Sequence, residues 1–251
     1  MKAKEAALKA LAIDSSLAEA HWSLASMKYW GDYDWLGAEA EFKRATELDP
    51  NFYPYYSCAS FLWFAGRHDE AIAQVKRSLE FTPADVGANG LLGVAFYFAR
   101  RYDQAIEQFR NTLAMSPNEA WLHFNIGLAY EQKVMYEEAI AEIQKAKTPS
   151  EGDESIRVAS LGHIYAVLGK RDKARKVIEE LKEQSKRRYL HPYLIALIYT
   201  GLSERDQAFK YLEQGYQDRS FFMTYLKVDP RLDSLRSDPR FTDLLRRVGL
   251  G

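Results

Sequence analysis

The chain is 251 residues long, 47% hydrophobic and 27% charged, with a formal net charge of −1. Those totals belong to a soluble folded protein, and the near-neutral balance gives no basis for recognition of nucleic acid or an anionic membrane. A single cysteine, Cys58, excludes an internal disulfide and fits a cytoplasmic, reducing setting, and no stretch approaches the roughly 20 apolar residues of a membrane span.

In chain order, residues 2–13 place Ala3, Ala7, Ala10 and Leu11 on one helical face, and Asp14 ends the pattern. This reads as the second helix of a hairpin without its first, so residues 1–17 form a partial unit. A natural array starts on a capped unit. The chain is therefore expected to be a fragment of a longer polypeptide, with an N-terminal domain missing, or to carry an added Met1.

From residue 18 to 217 a period takes over. A small residue recurs on a first helix at Ala25, Ala59, Gly93, Gly127, Gly162 and Ala196. Another opens a second helix at Ala38, Ala71, Ala105, Ala139, Ala174 and Ala208. Both series advance by 33 to 35 residues, so six helical hairpins are predicted in one register. Small side chains are needed where two antiparallel helix axes approach. Four residues after each second-helix alanine stands a large apolar residue, such as Phe42, Phe109 or Leu212, on the same face. Units end at Pro50, Pro83 and Pro117, where a helix cannot continue. The first unit carries an extra residue in its GDYDWLG turn, with Lys28 where an aromatic is expected and Tyr29 one place later.

Residues 218–251 leave the period. Asp229-Pro230 and Asp238-Pro239 each read as a helix start, an Asp cap followed by Pro in the first turn. Leu232, Leu235, Phe241, Leu244 and Leu245 are expected to cover the open end of the last hairpin as capping helices.

No catalytic set emerges. Gly87, Gly90 and Gly93 lack a preceding strand and the spacing of a phosphate loop. The five histidines are scattered without metal-binding spacing, and Asp32 and Asp34 lack further oxygen ligands. Cys58 falls on a buried helix face. No cofactor, metal or enzymatic activity is expected. The basic run Lys186, Arg187 and Arg188 reads as a solvated face.

The period and the L-G-x-x-Y…A-x-x-x-F…P skeleton resemble the tetratricopeptide repeat family across residues 18 to 217. The resemblance implies an all-α, right-handed superhelical solenoid whose first helices line a concave surface. GDYDWLGAEAEFKRA and the C-terminal ending further resemble the tetratricopeptide regions of bacterial winged-helix transcriptional regulators and Ser/Thr kinases. That implies a bacterial signalling context.

Projected onto the implied concave face, Trp22, Trp30, Tyr56, Trp63, Tyr97, Phe98, Trp121 and Phe124 form an aromatic stripe over the first four units, joined by Tyr29 and Phe64. An exposed stripe would bind a peptide or partner segment, because aromatics offer large area at low ordering cost. The stripe could equally be packed on itself or on a missing domain. Gly87 and Gly90 mark where a bound backbone could approach. The later units, with Ala159, His163, Val167, Tyr193 and Leu197, offer a blander face, and a Lys/Asn/Arg clamp for a C-terminal carboxylate is lacking. The expected function is a non-catalytic protein–protein interaction scaffold. The alternative is a regulatory or sensor module that contacts its own effector domain or a small ligand.

Overall fold

The computed structural model describes the backbone of residues 2–49, 55–146 and 151–251, with side chains except at 55–57 and 151–153. Among these residues the secondary structure is entirely helical. α1 (Lys2–Ile13) leads six hairpins: α2 (Ala18–Met27) with α3 (Trp35–Leu48), α4 (Tyr55–Phe64) with α5 (His68–Phe81), and α6 (Val86–Phe98) with α7 (Tyr102–Met115). They continue as α8 (Ala120–Gln132) with α9 (Tyr136–Lys145), α10 (Glu151–Val167) with α11 (Arg171–Ser185), and α12 (Pro192–Gly201) with α13 (Arg205–Gln217). Two 3-10 segments, Phe221–Tyr225 and Pro230–Leu235, and α14 (Pro239–Arg247) complete the chain.

The predicted small residues sit where the helices meet. A Cβ built on Gly93 would lie 2.4 Å from a Phe109 ring carbon, and one on Gly127 would lie 2.5 Å from Ile143 Cγ1. Both collisions fall between the two helices of one hairpin, where axis separation is set by the smallest residue. Ala25, Ala59, Ala38, Ala71, Ala105 and their later equivalents are fully buried.

The hairpin turns add a third series. Gly66, Arg100, Val134, Gly169 and Ser203 all adopt positive φ, between 61° and 84°. In each case the next residue donates its N–H back across the turn: Arg67 to Leu62 O, Arg101 to Phe96 O, Met135 to Tyr130 O, Lys170 to Tyr165 O and Glu204 to Tyr199 O, at 2.8 to 3.0 Å. This six-to-one bond satisfies a carbonyl that the helix end would otherwise leave orphaned. Repeating one closure at one register gives the last five hairpins the same turn geometry.

The first hairpin absorbs its extra residue as a π turn over Lys28–Asp32. The insertion places Tyr29 in the core, where its hydroxyl meets Ser60 Oγ at 2.8 Å. Lys28 is turned outward to Glu41, 3.1 Å away. Tyr33 then closes the turn at φ 59°, with Asp34 N–H donating to Lys28 O at 3.0 Å. Asp34 caps α3 by accepting from the Gly37 N–H at 2.8 Å, and Asp32 pairs with Lys4. Both carboxylates are thus engaged within the fold.

Candidate functional site

The first helices α2, α4, α6, α8, α10 and α12 contact one another in succession and form one inner face. That face is not an open stripe. Residues 219–236 run along it, and the start of the segment is tied to the first hairpin.

Three aromatic side chains enter the face. Phe221 packs on Trp30 at 5.3 Å and Phe64 at 6.1 Å between ring centroids. Tyr225 meets Phe64 at 4.5 Å and Phe98 at 5.8 Å. Phe222 stacks on Tyr193 at 5.7 Å and meets His191 edge-on at 4.8 Å. Edge-on and offset rings of this kind exceed the value of their buried area alone.

A buried polar network follows the aromatics. The Asp229 carboxylate accepts from Tyr193 Oη at 2.8 Å and from Arg231 Nη2 at 2.7 Å, and caps the second 3-10 segment through the Arg231 N–H at 3.0 Å. Asp229 is 1% exposed. Burial opposes its ionisation, but the adjacent Arg231 guanidinium and the bonds from Arg231 and Tyr193 outweigh it, so the carboxyl lies below its ordinary range. Arg231 also reaches Ser160 Oγ on α10 at 3.2 Å. Asp233 takes both terminal nitrogens of Arg100 at 2.7 Å. Beside this network a cavity of about 340 Å³ is bordered by Glu131, His163, Thr200, Arg231 and Ser234. His163 and Glu131 are hydrogen-bonded there at 2.5 Å.

The two ends of the array meet. Tyr33 Oη donates to Ser220 O at 3.1 Å, and Trp35 Nε1 donates to Val248 O at 2.7 Å. Tyr33 stacks on Tyr216 at 6.0 Å, and the Arg219 guanidinium lies 5.1 Å from the Tyr33 ring centre. Gly249 has φ 77°, and a Cβ on it would stand 2.8 Å from both Tyr33 O and the Trp35 ring. The close approach of the C-terminus to the first hairpin therefore requires glycine there.

The expected site residues divide accordingly. Trp30 and Phe98 touch the C-terminal segment. Trp63 stacks on Phe98 at 5.9 Å and is 3% exposed, and Tyr97 packs between Phe98 and Tyr102 and is also 3% exposed. Trp22 faces Phe42 at 4.4 Å inside its own hairpin. Trp121 lies over Gly90, where an added Cβ would come within 2.0 Å of its ring, and donates to Glu119 at 3.0 Å. Phe124 is half-buried against the core. The Tyr56 side chain lies outside the described residues. So the close approach expected at Gly90 is made by the next repeat's indole. The face expected to be bland also carries Tyr193, whose hydroxyl anchors Asp229. Leu232 and Leu235 pack toward α12 on the inner face, while α14 covers α13, with Arg240 4.1 Å from the Phe209 ring centre.

Tyr33, Trp35, Phe221, Phe222, Tyr225 and Asp229 were not marked as site residues from the sequence. The four-residue recurrence of Phe221, Tyr225, Asp229 and Asp233 was a readable signal. Burial raises the Cys58 thiol to about 11, which disfavours the reactive thiolate. Among the described residues no group of His, Cys, Asp and Glu could hold a metal ion, and no helix is long and apolar enough to cross a membrane.

Residues 91–154, covering most of the third hairpin, the whole of the fourth and the start of the fifth, match the tetratricopeptide repeat family. The fold is a tetratricopeptide-repeat solenoid. The solved structure of the Rap conjugation gene regulator of plasmid pLS20 in complex with the Phr* peptide is similar, with a TM-score of 0.66 at 15% identity over 92% of this chain and 72% of that one. A Rap protein complexed with competence and sporulation factor gives 0.65 at 15% identity, over 92% and 74%. The APC/C hetero-tetramer Cut9–Hcn1 gives 0.63 at 19% identity, over 96% of this chain but 45% of that one. This chain thus spans less than half of that Cut9–Hcn1 chain. These likenesses establish the tetratricopeptide architecture alone. No curated protein matches the chain in sequence.

Proposed function

We propose that this tetratricopeptide array is a non-catalytic protein-interaction module that holds a polypeptide segment along its inner aromatic face. The observation that carries this reading is the seating of residues 221–235 on Trp30, Phe64, Phe98 and Tyr193. The face accommodates a polypeptide backbone together with aromatic and carboxylate side chains. The Rap regulator that shares the architecture is itself solved with a peptide, which supports the reading at the level of fold.

The test is an array of random peptides probed with the full chain and with a Trp63→Ala/Phe98→Ala variant. The expected result is a set of bound peptides that the variant fails to retain while its helical circular dichroism is kept. Peptides bound equally by both proteins would place recognition elsewhere and refute the groove.

A further inference from the structure

A second site lies at the turn ends of the fourth, fifth and sixth hairpins. The cleft of about 340 Å³ there is lined in its depth by Glu131 and Thr200, each 4% exposed, and by His163, 5% exposed, with Arg231 beside them. None of these residues forms the aromatic slots of the inner face, so the site stands apart from the polypeptide reading.

The open polar atoms in its depth are acceptors. His163 Nδ1 meets Glu131 Oε1 at 2.5 Å. An ionised carboxylate only accepts, so the ring proton sits on Nδ1, and in the neutral ring Nε2 is a bare acceptor. Nε2 takes no hydrogen bond among the described residues and, unlike Glu131 Oε2, is not sealed from solvent. Glu131 Oε2 is buried without a donor, so the charge of this carboxylate is not matched within the fold. Thr200 Oγ1 gives its proton to Ala196 O at 2.9 Å and keeps only lone pairs. The helices α8, α10 and α12 all end at the cleft, on Gln132, Val167 and Gly201, and helix C-termini carry partial negative charge. The Arg231 guanidinium is already matched, with Nε and Nη2 on Asp229 and Nη1 on Ser160. The imidazole is also held in place: a Cβ on Gly201 would lie 3.1 Å from His163 Cδ2, so α12 closes on the ring edge.

Unmatched carboxylate charge behind bare acceptors calls for a cationic donor. The acceptors and negative helix ends come from three helices rather than from one plane. That suits the spread donors of an ammonium better than the flat fork of a guanidinium. Val134, 68% exposed, and Val167, 39% exposed, border the same cleft and offer contact to an alkyl chain. We propose that this cleft binds a primary alkylammonium group, which donates to His163 Nε2 and Thr200 Oγ1 while its chain lies against Val134 and Val167. Glu131 acts through the imidazole: it fixes the tautomer and supplies the counter-charge one hydrogen bond away.

The experiment titrates the full chain, labelled with ¹⁵N at histidine, with n-butylamine, n-butanol and butyrate, which share one chain and differ in charge. Nα-acetyl-lysine methylamide is titrated beside them as the polypeptide form of the same group. Binding is read at the His163 ring nitrogens. The amine should bind at least about tenfold more tightly than the alcohol and move the Nε2 resonance. Glu131→Gln should weaken the amine about tenfold and leave the alcohol unchanged. Val134→Lys brings a tethered ammonium to the cleft and should weaken n-butylamine about threefold or more, with helical circular dichroism kept. Tighter binding of the blocked lysine than of n-butylamine supports the site and assigns its ligand to a polypeptide side chain. The reverse order supports it and assigns a free amine. Alcohol or butyrate binding as tightly as the amine, saturation that leaves His163 unmoved, or no saturation by either ammonium would overturn the proposal. Should Glu131→Gln fail to fold, the exposed Val134→Lys decides, and unchanged amine affinity there overturns it.

Discussion

Removing the Asp229 carboxylate should detach the C-terminal segment while sparing the array. Asp229 is 1% exposed and the Arg231 side chain 9% exposed, so Asp229→Ala leaves a guanidinium in a nearly dry site with its main counter-charge gone. It also leaves the Tyr193 hydroxyl without its acceptor and the second 3-10 segment without its cap. Breaking a buried ion pair on one side costs about 3–5 kcal/mol. The protein can escape that cost by releasing the segment to water, so the loss should appear as local opening. At 1.4 kcal/mol per decade, amide exchange over 220–235 should accelerate by roughly two to three orders of magnitude. Helical circular dichroism should change little, because the hairpins keep their own cores. Replacing both partners with apolar groups, Asp229→Leu with Arg231→Met, should recover much of the loss, since a well-packed apolar pair is often as stable as the ion pair it replaces. Hydrogen exchange by mass spectrometry on the full chain measures all three proteins. If Asp229→Ala accelerates exchange less than about fivefold, or the double variant exchanges as fast as Asp229→Ala, the network does not anchor the segment and the reasoning fails.

Two further outcomes are expected. Val134 holds φ 63° at a hairpin turn while 68% exposed, so Val134→Gly should relieve backbone strain of about 1–2 kcal/mol, and the Tm should rise by roughly 2–6 °C in a calorimetric scan. Burial lowers both His68 and His191, aided at His68 by Arg100 and Lys227 and opposed at His191 by Asp218. Neutral imidazole is then the form the folded state prefers. Their stabilisation is complete above the ordinary histidine value of about 6.5 and is lost as pH falls through the lowered folded values. His191 bonds to Ser220 and meets Phe222 edge-on, so the protection factors over the start of the segment, taken relative to intrinsic exchange at each pH, should fall as the pH drops from 7 to 5, and His191→Gln should flatten that dependence. The contribution of Asp229 is lost only in stronger acid, below about 3.9.

The aromatic stripe shows how far sequence reasoning reached. Helical spacing grouped Trp30, Phe64 and Phe98 on one face, because residues three and four apart share a helix face whatever surrounds them, and in the structure each of the three touches Phe221 or Tyr225. The same projection included Trp22 and Trp121, which the structure turns toward Phe42 and Gly90. A face is a direction, and whether it meets solvent, the next hairpin or a returning segment depends on neighbours that the spacing does not contain.

What the sequence determined by itself was the unit: six hairpins set by small residues at a period near 34, and helix starts at the two Asp-Pro steps. Those features act between residues close in the chain or one repeat apart, so they leave a periodic trace. Only the tertiary structure decided that the array curves until its ends meet and that its own C-terminal segment fills the inner face. The deciding contacts, Tyr33 with Ser220 and Trp35 with Val248, join residues 187 and 213 positions apart. Their encounter depends on a small rotation accumulated over six repeats, which no single repeat records.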